Sequence, residues 1–128
     1  MNDEKKLRDR LSSEAYDVTQ NASTERPFTS ALLENKEAGM YTCVVCDAEL
    51  FSSDTKFESG TGWPSFTEPA DRQGVELRSD NKLGMRRVEV TCKSCDAHLG
   101  HVFTDGPGEG GERYCINGCA LEFRGGNE

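Results

Sequence analysis

The sequence has few of the residues that build a conventional hydrophobic core. Only 23 of its 128 residues are Leu, Ile, Val or Phe, while 30% are charged. A chain with so few aliphatic side chains and so many charges lies close to the composition of disordered proteins. Small domains with such a composition usually depend on disulfides or a structural metal, and the six cysteines could form disulfides or bind a metal.

Positive charge and long apolar runs are also scarce. The chain has 15 Lys and Arg against 23 Asp and Glu, a net charge of −8, which argues against nucleic-acid and anionic-membrane partners. No segment reaches the roughly 18 apolar residues of a membrane span, and residues 1–14 are charged where a signal peptide would be apolar. We therefore expect a cytoplasmic, monomeric protein with one domain over residues 1–128 and its core at about 11–123.

The periodicity of the chain changes after Gly39. Before it, residues 7–19 carry apolar side chains at helical spacing, and residues 29–35 predict a short second helix. After it, short runs that contain Val or Phe predict strands at residues 74–78, 85–92 and 100–103. Residues 81–84 separate two of these runs and favour a hairpin turn. The sequence thus predicts a mainly β fold of antiparallel strands, preceded by short N-terminal helices.

Four cysteines form two CxxC pairs, Cys43 with Cys46 and Cys92 with Cys95. In a reducing compartment such pairs are more often metal ligands or redox catalysts than disulfides. Two pairs with this spacing can complete the tetrahedral Cys₄ site that structural zinc prefers. A site with four protein ligands has no open position for water, so its role would be to join two β segments. Two redox pairs or buried thiols are the alternatives, and the matched spacing favours one zinc ion.

The other two cysteines, Cys115 and Cys119, are not spaced as a metal-binding pair. If residues 113–117 form a strand, Arg113, Cys115 and Asn117 share the face that points away from the core. A neighbouring guanidinium lowers the pKa of a thiol and increases the fraction of the nucleophilic thiolate. A buried cysteine that packs as a small hydrophobic residue explains the same pattern equally well.

The only two histidines, His98 and His101, follow directly after the second CxxC pair. Three positions apart on a regular strand, they would point to opposite faces, so a shared site requires a bulge, which Gly100 permits. Together they could serve as the acid of a thiol reaction. Zinc ligation is disfavoured because four cysteines already fill a tetrahedral site, and a structural role for both histidines stays open.

The only tryptophan, Trp63, lies in a run rich in Gly, Ser and Pro at residues 59–66. Such a run predicts a loop, and binding residues concentrate on loops. A large aromatic side chain there could form a wall of a substrate site. It could equally fold back onto the small core, and the residues alone slightly favour this second interpretation.

Several segments match one known family in the same order along the chain. They are residues 43–46, 51–57, 59–66, 92–95, 98–103, 105–107 and 113–117. Together they closely resemble the B-type methionine sulfoxide reductases over about residues 11–123. The resemblance implies two antiparallel β-sheets with N-terminal helices and a structural Cys₄ zinc. It also implies reduction of the R epimer of methionine sulfoxide, free or protein-bound, by a thiol reductant.

The same resemblance implies a role for each candidate residue. Cys115 is the nucleophile, and Trp63 receives the methyl group of the substrate. The polar groups around the sulfoxide oxygen are His98, His101 and Asn117, and the supporting or substrate-binding residues are Phe103, Asp105 and Arg113. Oxygen is a poor leaving group, so a donor must protonate it as charge develops, and His101 is the natural donor. Cys115 is left as a sulfenic acid that a second thiol must reduce.

The chain departs from the family at Thr61, where many members carry the resolving cysteine. The remaining reductants are Cys119, a zinc-site cysteine, or an external thiol such as a thioredoxin-like protein or a small thiol. On a regular strand Cys119 would lie roughly 13 Å from Cys115, beyond the Cα separation of about 4.4 to 6.8 Å that a disulfide tolerates. Gly118 could break the strand and fold Cys119 back, but residues 120–123 predict a strand that resumes almost at once and leaves little room for a reversal. We therefore expect an external thiol to act directly on Cys115, with Cys119 as a possible but inefficient resolving residue.

A second hypothesis of another class is a zinc-stabilised β module that binds a protein partner without catalysis. Such a module would need neither Cys115 nor the histidine pair. The joint presence of Cys115, His98, His101 and Trp63 favours the enzyme.

Overall fold

A computed structural model describes residues 8–80, 87–107 and 111–125. These residues form mainly strands, and the helix α1 spans Ser13–Asn21. The strands are β1 (Gly39–Cys43), β2 (Glu49–Ser52), β3 (Lys56–Phe57), β4 (Ser65–Phe66), β5 (Val75–Asp80), β6 (Arg87–Cys92), β7 (His98–Phe103), β8 (Arg113–Ile116) and β9 (Leu121–Gly125). Short 3₁₀ turns cover Ser53–Thr55, Arg72–Gly74 and Gly118–Ala120. Over these ranges, none of the helices has the length and apolar character needed to span a membrane.

The strands form two antiparallel sheets, as predicted. One sheet has three strands in the order β2-β1-β9, and the other has six in the order β3-β4-β8-β7-β6-β5. Strand β8 therefore lies between β4 and β7, and its residue Cys115 is opposite Ser65 on one side and His101 on the other. This strand order places the Cys115 thiol on an interior strand of the six-stranded sheet.

The core joins both sheets and relies on aromatic rings where aliphatic residues are few. Tyr41 and Phe51 of the three-stranded sheet contact Phe66 of the six-stranded sheet, with ring centroids 5.3 and 4.5 Å apart. Phe51 also lies 5.8 Å from Tyr114. Each such pair contributes about 0.5–1.5 kcal/mol beyond the burial of its area. Large aromatic side chains thus compensate for the low aliphatic content.

The N-terminal segment differs from the predicted helices. The helix expected over 7–19 is interrupted at Ser12, which is extended and whose Oγ accepts the Ala15 N–H at 3.0 Å as the N-cap of α1. The second predicted helix is wrong, because the described residues 29–35 form turns. There the Ser30 Oγ accepts the Leu32 N–H at 3.0 Å, a local bond that competes with helical pairing.

The predicted hairpin turn at 81–84 lies outside the described residues. The two strands on either side of it, β5 and β6, pair in antiparallel register from Val75 opposite Cys92 to Asp80 opposite Arg87. The register therefore agrees with a hairpin connection.

Candidate active site

Four sulfur atoms meet where the two sheets are joined. Cys43 ends β1 and Cys92 ends β6, and the turns that follow carry Cys46 and Cys95. The Sγ atoms of Cys43 and Cys95 are 3.6 Å apart, as are those of Cys46 and Cys92, and all four lie within 4.8 Å of one another. In a tetrahedral zinc–thiolate site with bonds near 2.3 Å, neighbouring sulfurs are about 3.8 Å apart. The four residues therefore fit a metal ion.

The two turns that carry these sulfurs have the same local structure. The Asp47 N–H donates to the Cys43 carbonyl at 2.8 Å, and the Asp96 N–H donates to the Cys92 carbonyl at 2.7 Å. Asp47 and Asp96 have positive φ angles of 69° and 67°. Asp tolerates this left-handed conformation better than most residues. Matched turns of this kind let each CxxC pair direct both sulfurs to one point.

A separate cavity opens on the face of β7 and β8. Its lining residues are Thr24, Trp63, Arg87, Gly100, His101, Phe103, Cys115 and Asn117. The cavity thus brings together five of the eight residues proposed for catalysis and substrate binding. Of the other three, His98 contacts His101 and Arg113 contacts Phe103, whereas Asp105 pairs with Arg113.

Cys115 is half-buried on β8, and its neighbours Tyr114 and Ile116 are only 1% and 0% exposed. This alternation confirms the predicted strand. The Sγ atom lies 3.7 Å from the Thr61 Oγ1. Burial raises the pKa of the Cys115 thiol above its ordinary value, and the Thr61 hydroxyl and the Arg113 charge oppose this shift without cancelling it. Arg113 therefore acts in the expected direction, but burial decides the net effect.

A bulge in β7 brings the two histidines together, as the sequence analysis required. Val90 pairs with Gly100 while the next residue of β6 pairs with His98, so β7 contains one extra residue at this point. The two imidazole rings are 5.5 Å apart. His101 lines the cavity, whereas His98 is only 4% exposed and its Nδ1 lies 2.7 Å from the Glu89 carboxylate. His98 thus supports His101 from behind.

Arg113 and Asp105 form a pair that holds the Phe103 ring. The Arg113 Nε and Nη2 groups donate to the two Asp105 carboxylate oxygens at 2.8 and 3.2 Å. The guanidinium carbon lies 4.5 Å from the centre of the Phe103 ring, in cation–π geometry. The Arg113 guanidinium lowers the pKa of Asp105, which favours the charged pair. Phe103 lines the cavity, so this pair orients one of its walls.

Trp63 is half-buried at the edge of the cavity. Its loop contains Gly60 and Gly62 with φ angles of +77° and +95°, a conformation that favours glycine. A Cβ atom at Gly62 would lie 2.6 Å from the Pro27 side chain, so the loop also packs too closely for another residue. The structure therefore places the indole at the cavity, where the sequence left two interpretations open.

Four further residues of the site were missed by sequence reasoning. Thr24 and Arg87 line the cavity, Glu89 contacts His98, and Glu25 contacts Asn117 and Trp63. Glu89 alternates with valines along β6, a pattern that usually indicates a solvent-facing side chain. Glu25 is 92 residues away from Asn117 along the chain, and no local pattern can indicate such a contact.

The SelR domain family matches residues 11–125 of the chain. The chain belongs to this family. It is 53% identical over 117 residues to proteins named peptide methionine sulfoxide reductase MsrB from Escherichia coli O139:H28, K12 and O157:H7. These alignments cover 91% of this chain and 85% of each relative. The family resemblance predicted from the motifs is confirmed, and the matched range closely follows the predicted one.

Proposed function

We propose that this chain is a peptide methionine (R)-S-oxide reductase in which Cys115 attacks the substrate sulfur. Family membership supports the reaction, and one geometric observation supports the residues. Cys115 is the cross-strand neighbour of His101 in a cavity that Trp63, Phe103 and Asn117 also line. A nucleophile, a proton donor and an apolar wall thus face the same space, as the reaction requires.

In the proposed step the Cys115 sulfur attacks the substrate sulfur, and the sulfoxide oxygen, once protonated, transfers to the cysteine sulfur as the transient S–S bond breaks. The substrate S–O bond breaks, methionine leaves, and Cys115 becomes a sulfenic acid. The substrate sulfur gains two electrons and the cysteine sulfur loses two. The Cys115 proton ends on the oxygen, and His101, the cross-strand neighbour of Cys115, is the residue that would transfer it.

We propose that His98 and Asn117 organise the polar side of the cavity, which receives the sulfoxide oxygen. A carboxylate acceptor fixes the tautomer and orientation of an imidazole, and Glu89 supplies it for His98 at 2.7 Å. The Asn117 amide donates to the Leu99 carbonyl at 2.9 Å and accepts the Glu25 N–H at 3.0 Å. Both side chains are therefore oriented before substrate binds, which reduces the reorganisation that the reaction needs.

The apolar side of the cavity is proposed to select the substrate. Trp63 would receive the methyl group, and Phe103, held by Arg113 and Asp105, would complete the wall. With the methyl group against the indole and the oxygen toward His101, only one arrangement of the remaining substituents directs the sulfur at Cys115. Such an arrangement would accept one of the two epimers, and family membership indicates that this is the R epimer.

We also propose that the metal held by Cys43, Cys46, Cys92 and Cys95 is zinc and that it is structural. The sulfur separations of 3.6 Å and the all-cysteine donor set fit this ion. Bound there, it would supply only mechanical linkage between the sheets, because four protein ligands complete its coordination. The cavity chemistry depends on the side chains described above.

An external thiol is proposed to reduce the Cys115 sulfenic acid. The distance of roughly 13 Å for a regular strand does not apply to Cys119, because β8 ends at Ile116 and a 3₁₀ turn follows. Even so, Cys119 lines another cavity, beside Glu14 and Glu25. Burial, followed by the charges of these two carboxylates, raises the pKa of Cys119, which disfavours the thiolate that resolution requires.

The external thiol condenses with the sulfenic acid to give a mixed disulfide and water. A second thiol then releases Cys115 and forms a disulfide with the first. We propose that the thiol donor is a thioredoxin-like protein or a small thiol. We also propose that this chain acts as a single domain and is monomeric and cytoplasmic.

The test is NADPH consumption in the presence of thioredoxin, thioredoxin reductase and a separated epimer of N-acetyl-methionine sulfoxide. We expect consumption with the R epimer, none with the S epimer, and none for Cys115→Ser. A non-catalytic binding module would consume no NADPH with either epimer. Dithiothreitol in place of the thioredoxin system, with methionine measured directly, separates loss of the reaction from a mismatched protein donor.

A further inference from the structure

Glu25 is a buried carboxylate that the proposed reaction does not use. It lies in the segment that follows α1 and is only 3% exposed. A charged side chain is rarely buried to this extent unless its oxygens are hydrogen-bonded. Its position in the fold therefore needs a specific explanation.

The carboxylate binds the backbone directly after the catalytic strand. Its Oε2 accepts the Gly118 N–H at 2.6 Å and its Oε1 accepts the Cys119 N–H at 3.1 Å. These two groups belong to the 3₁₀ turn that follows Asn117. Hydrogen bonds to an ionised acceptor are roughly twice as strong as neutral ones. The carboxylate thus anchors the segment 117–119 to the segment after α1.

The backbone of the same residue contacts both sides of the cavity. Its N–H donates to the Asn117 Oδ1 at 3.0 Å, and its carbonyl accepts the Trp63 Nε1–H at 3.0 Å. Nearby, the Phe28 N–H donates to the Gly62 carbonyl at 2.7 Å, a second bond between this segment and the Trp63 loop. One residue therefore bridges the apolar wall and the polar wall.

We propose that Glu25 is a positioning residue that sets the separation of Trp63 and Asn117 across the substrate cavity. This inference rests on the roles given to those two residues in the proposed function. Without the carboxylate anchor, the backbone of residue 25 keeps its bonds to Trp63 and Asn117 but loses the two bonds that fix it to residues 118 and 119. A shift of about 1 Å in such a group can reduce catalysis by about 100-fold.

The test is Glu25→Gln, which keeps the shape of the side chain but replaces one acceptor oxygen by an NH₂ donor. That donor faces a backbone N–H, so one of the two anchoring bonds is lost. We expect kcat/KM for the R epimer to fall by about 10- to 100-fold. Because the chain has one tryptophan, its fluorescence reports Trp63 alone, and we expect the emission maximum to shift.

Glu14→Gln is the matched control. It makes the same change of charge at an exposed residue whose carboxylate lies within 4.8 Å of the Cys119 sulfur and of the Glu25 carboxylate. We expect its kcat/KM and emission to equal those of the unmodified protein. Bound zinc and the melting temperature are measured for both variants, and kinetics are recorded well below melting.

A folded, zinc-loaded Glu25→Gln variant with kcat/KM within about threefold of the unmodified protein would overturn the inference. So would a fall in activity without a change in emission, or a lowered melting temperature as the only effect. The proposed function is judged separately by turnover of the unmodified protein and its loss in Cys115→Ser. An active protein with an ineffective Glu25→Gln change would therefore reject the positioning role alone.

A second measurement decides the question if Glu25→Gln does not fold. N-acetyl-methionine (R)-sulfoxide is added to ¹⁵N-labelled Cys115→Ser, and the NMR signals of Trp63, Gly118 and Cys119 are followed. We expect the indole N–H and the two backbone amides to shift with the same binding curve. A shift of the indole alone rejects the coupling, and an unmoved indole rejects the wall assignment together with the inference.

Discussion

Replacement of Glu89 by alanine tests whether the half-buried carboxylate behind the histidine pair is needed for turnover. Glu89 is the cross-strand neighbour of His101, and its carboxylate lies 2.7 Å from the Nδ1 atom of His98. The side chain of His98 is 5% exposed and that of Glu89 is 22% exposed. Glu89→Ala therefore removes an acceptor from a site that water screens poorly.

The expected effect can be worked out from this contact. A hydrogen bond that involves a charged group contributes about 1.5–3 kcal/mol. If the whole contribution is lost in the transition state, kcat falls by about 10- to 150-fold. Glu89→Gln keeps an acceptor oxygen without the charge, so we expect its kcat to lie between the kcat of Glu89→Ala and that of the unmodified protein.

The assay is steady-state reduction of the R epimer with dithiothreitol, which avoids any effect on a protein reductant. Glu76→Ala on the adjacent strand is the control, since its exposed pair with Arg78 at 3.3 Å is of a kind that contributes about 0–1 kcal/mol. The reasoning fails if kcat of Glu89→Ala stays within about threefold of Glu76→Ala while both remain folded.

Three further changes test the metal centre, the nucleophile and the route back to the thiol. Cys43→Ser, or removal of the metal with a strong chelator, should unfold the domain, because a structural zinc site contributes about 10–16 kcal/mol while a domain has about 5–15 kcal/mol of stability. Circular dichroism with metal analysis checks this, and a folded, active, metal-free protein would contradict it. Cys115→Ser should abolish reduction while keeping zinc and fold, and His101→Ala should slow it by about 100-fold or more, as for a lost general acid. Full activity of either variant in the epimer-resolved assay would remove that residue from the mechanism. After one equivalent of substrate, mass spectrometry should detect a trapped sulfenic acid on Cys115 with Cys119 still free, whereas a rapid disulfide between them would identify Cys119 as the resolving residue.

The parts of the fold with a local cause were predictable from the sequence. Alternation at residues 113–117 identified β8 and its buried face, and the spacing of His98, Gly100 and His101 required the bulge that β7 contains. The two CxxC pairs carried enough information to bring together sulfurs that lie on different sheets. In each case a short motif restricts the geometry strongly.

Features that depend on distant partners could not be predicted in this way. The helix expected at 29–35 is replaced by turns, and Phe28 just before them has a positive φ of 65°, which the spacing of apolar residues cannot indicate. The pKa of Cys115 follows burial within the assembled sheets more than it follows Arg113. The contact of Glu25 with Asn117 exists only once the N-terminal segment has packed against the end of β8.

The turn between β6 and β7 carries a cysteine of the four-sulfur cluster and also closes the hairpin that bears both histidines. The Cys92 N–H donates to the Ala97 carbonyl at 2.9 Å, and His98 begins the next strand directly afterwards. Because side chains alternate along a strand, one residue inserted between Cys95 and His98 would turn each histidine to the opposite face. The length of this loop must therefore keep the cysteine sulfurs together and also keep each histidine on its face of β7. Insertions and deletions that many surface loops tolerate should inactivate this protein here even when all four cysteines are kept.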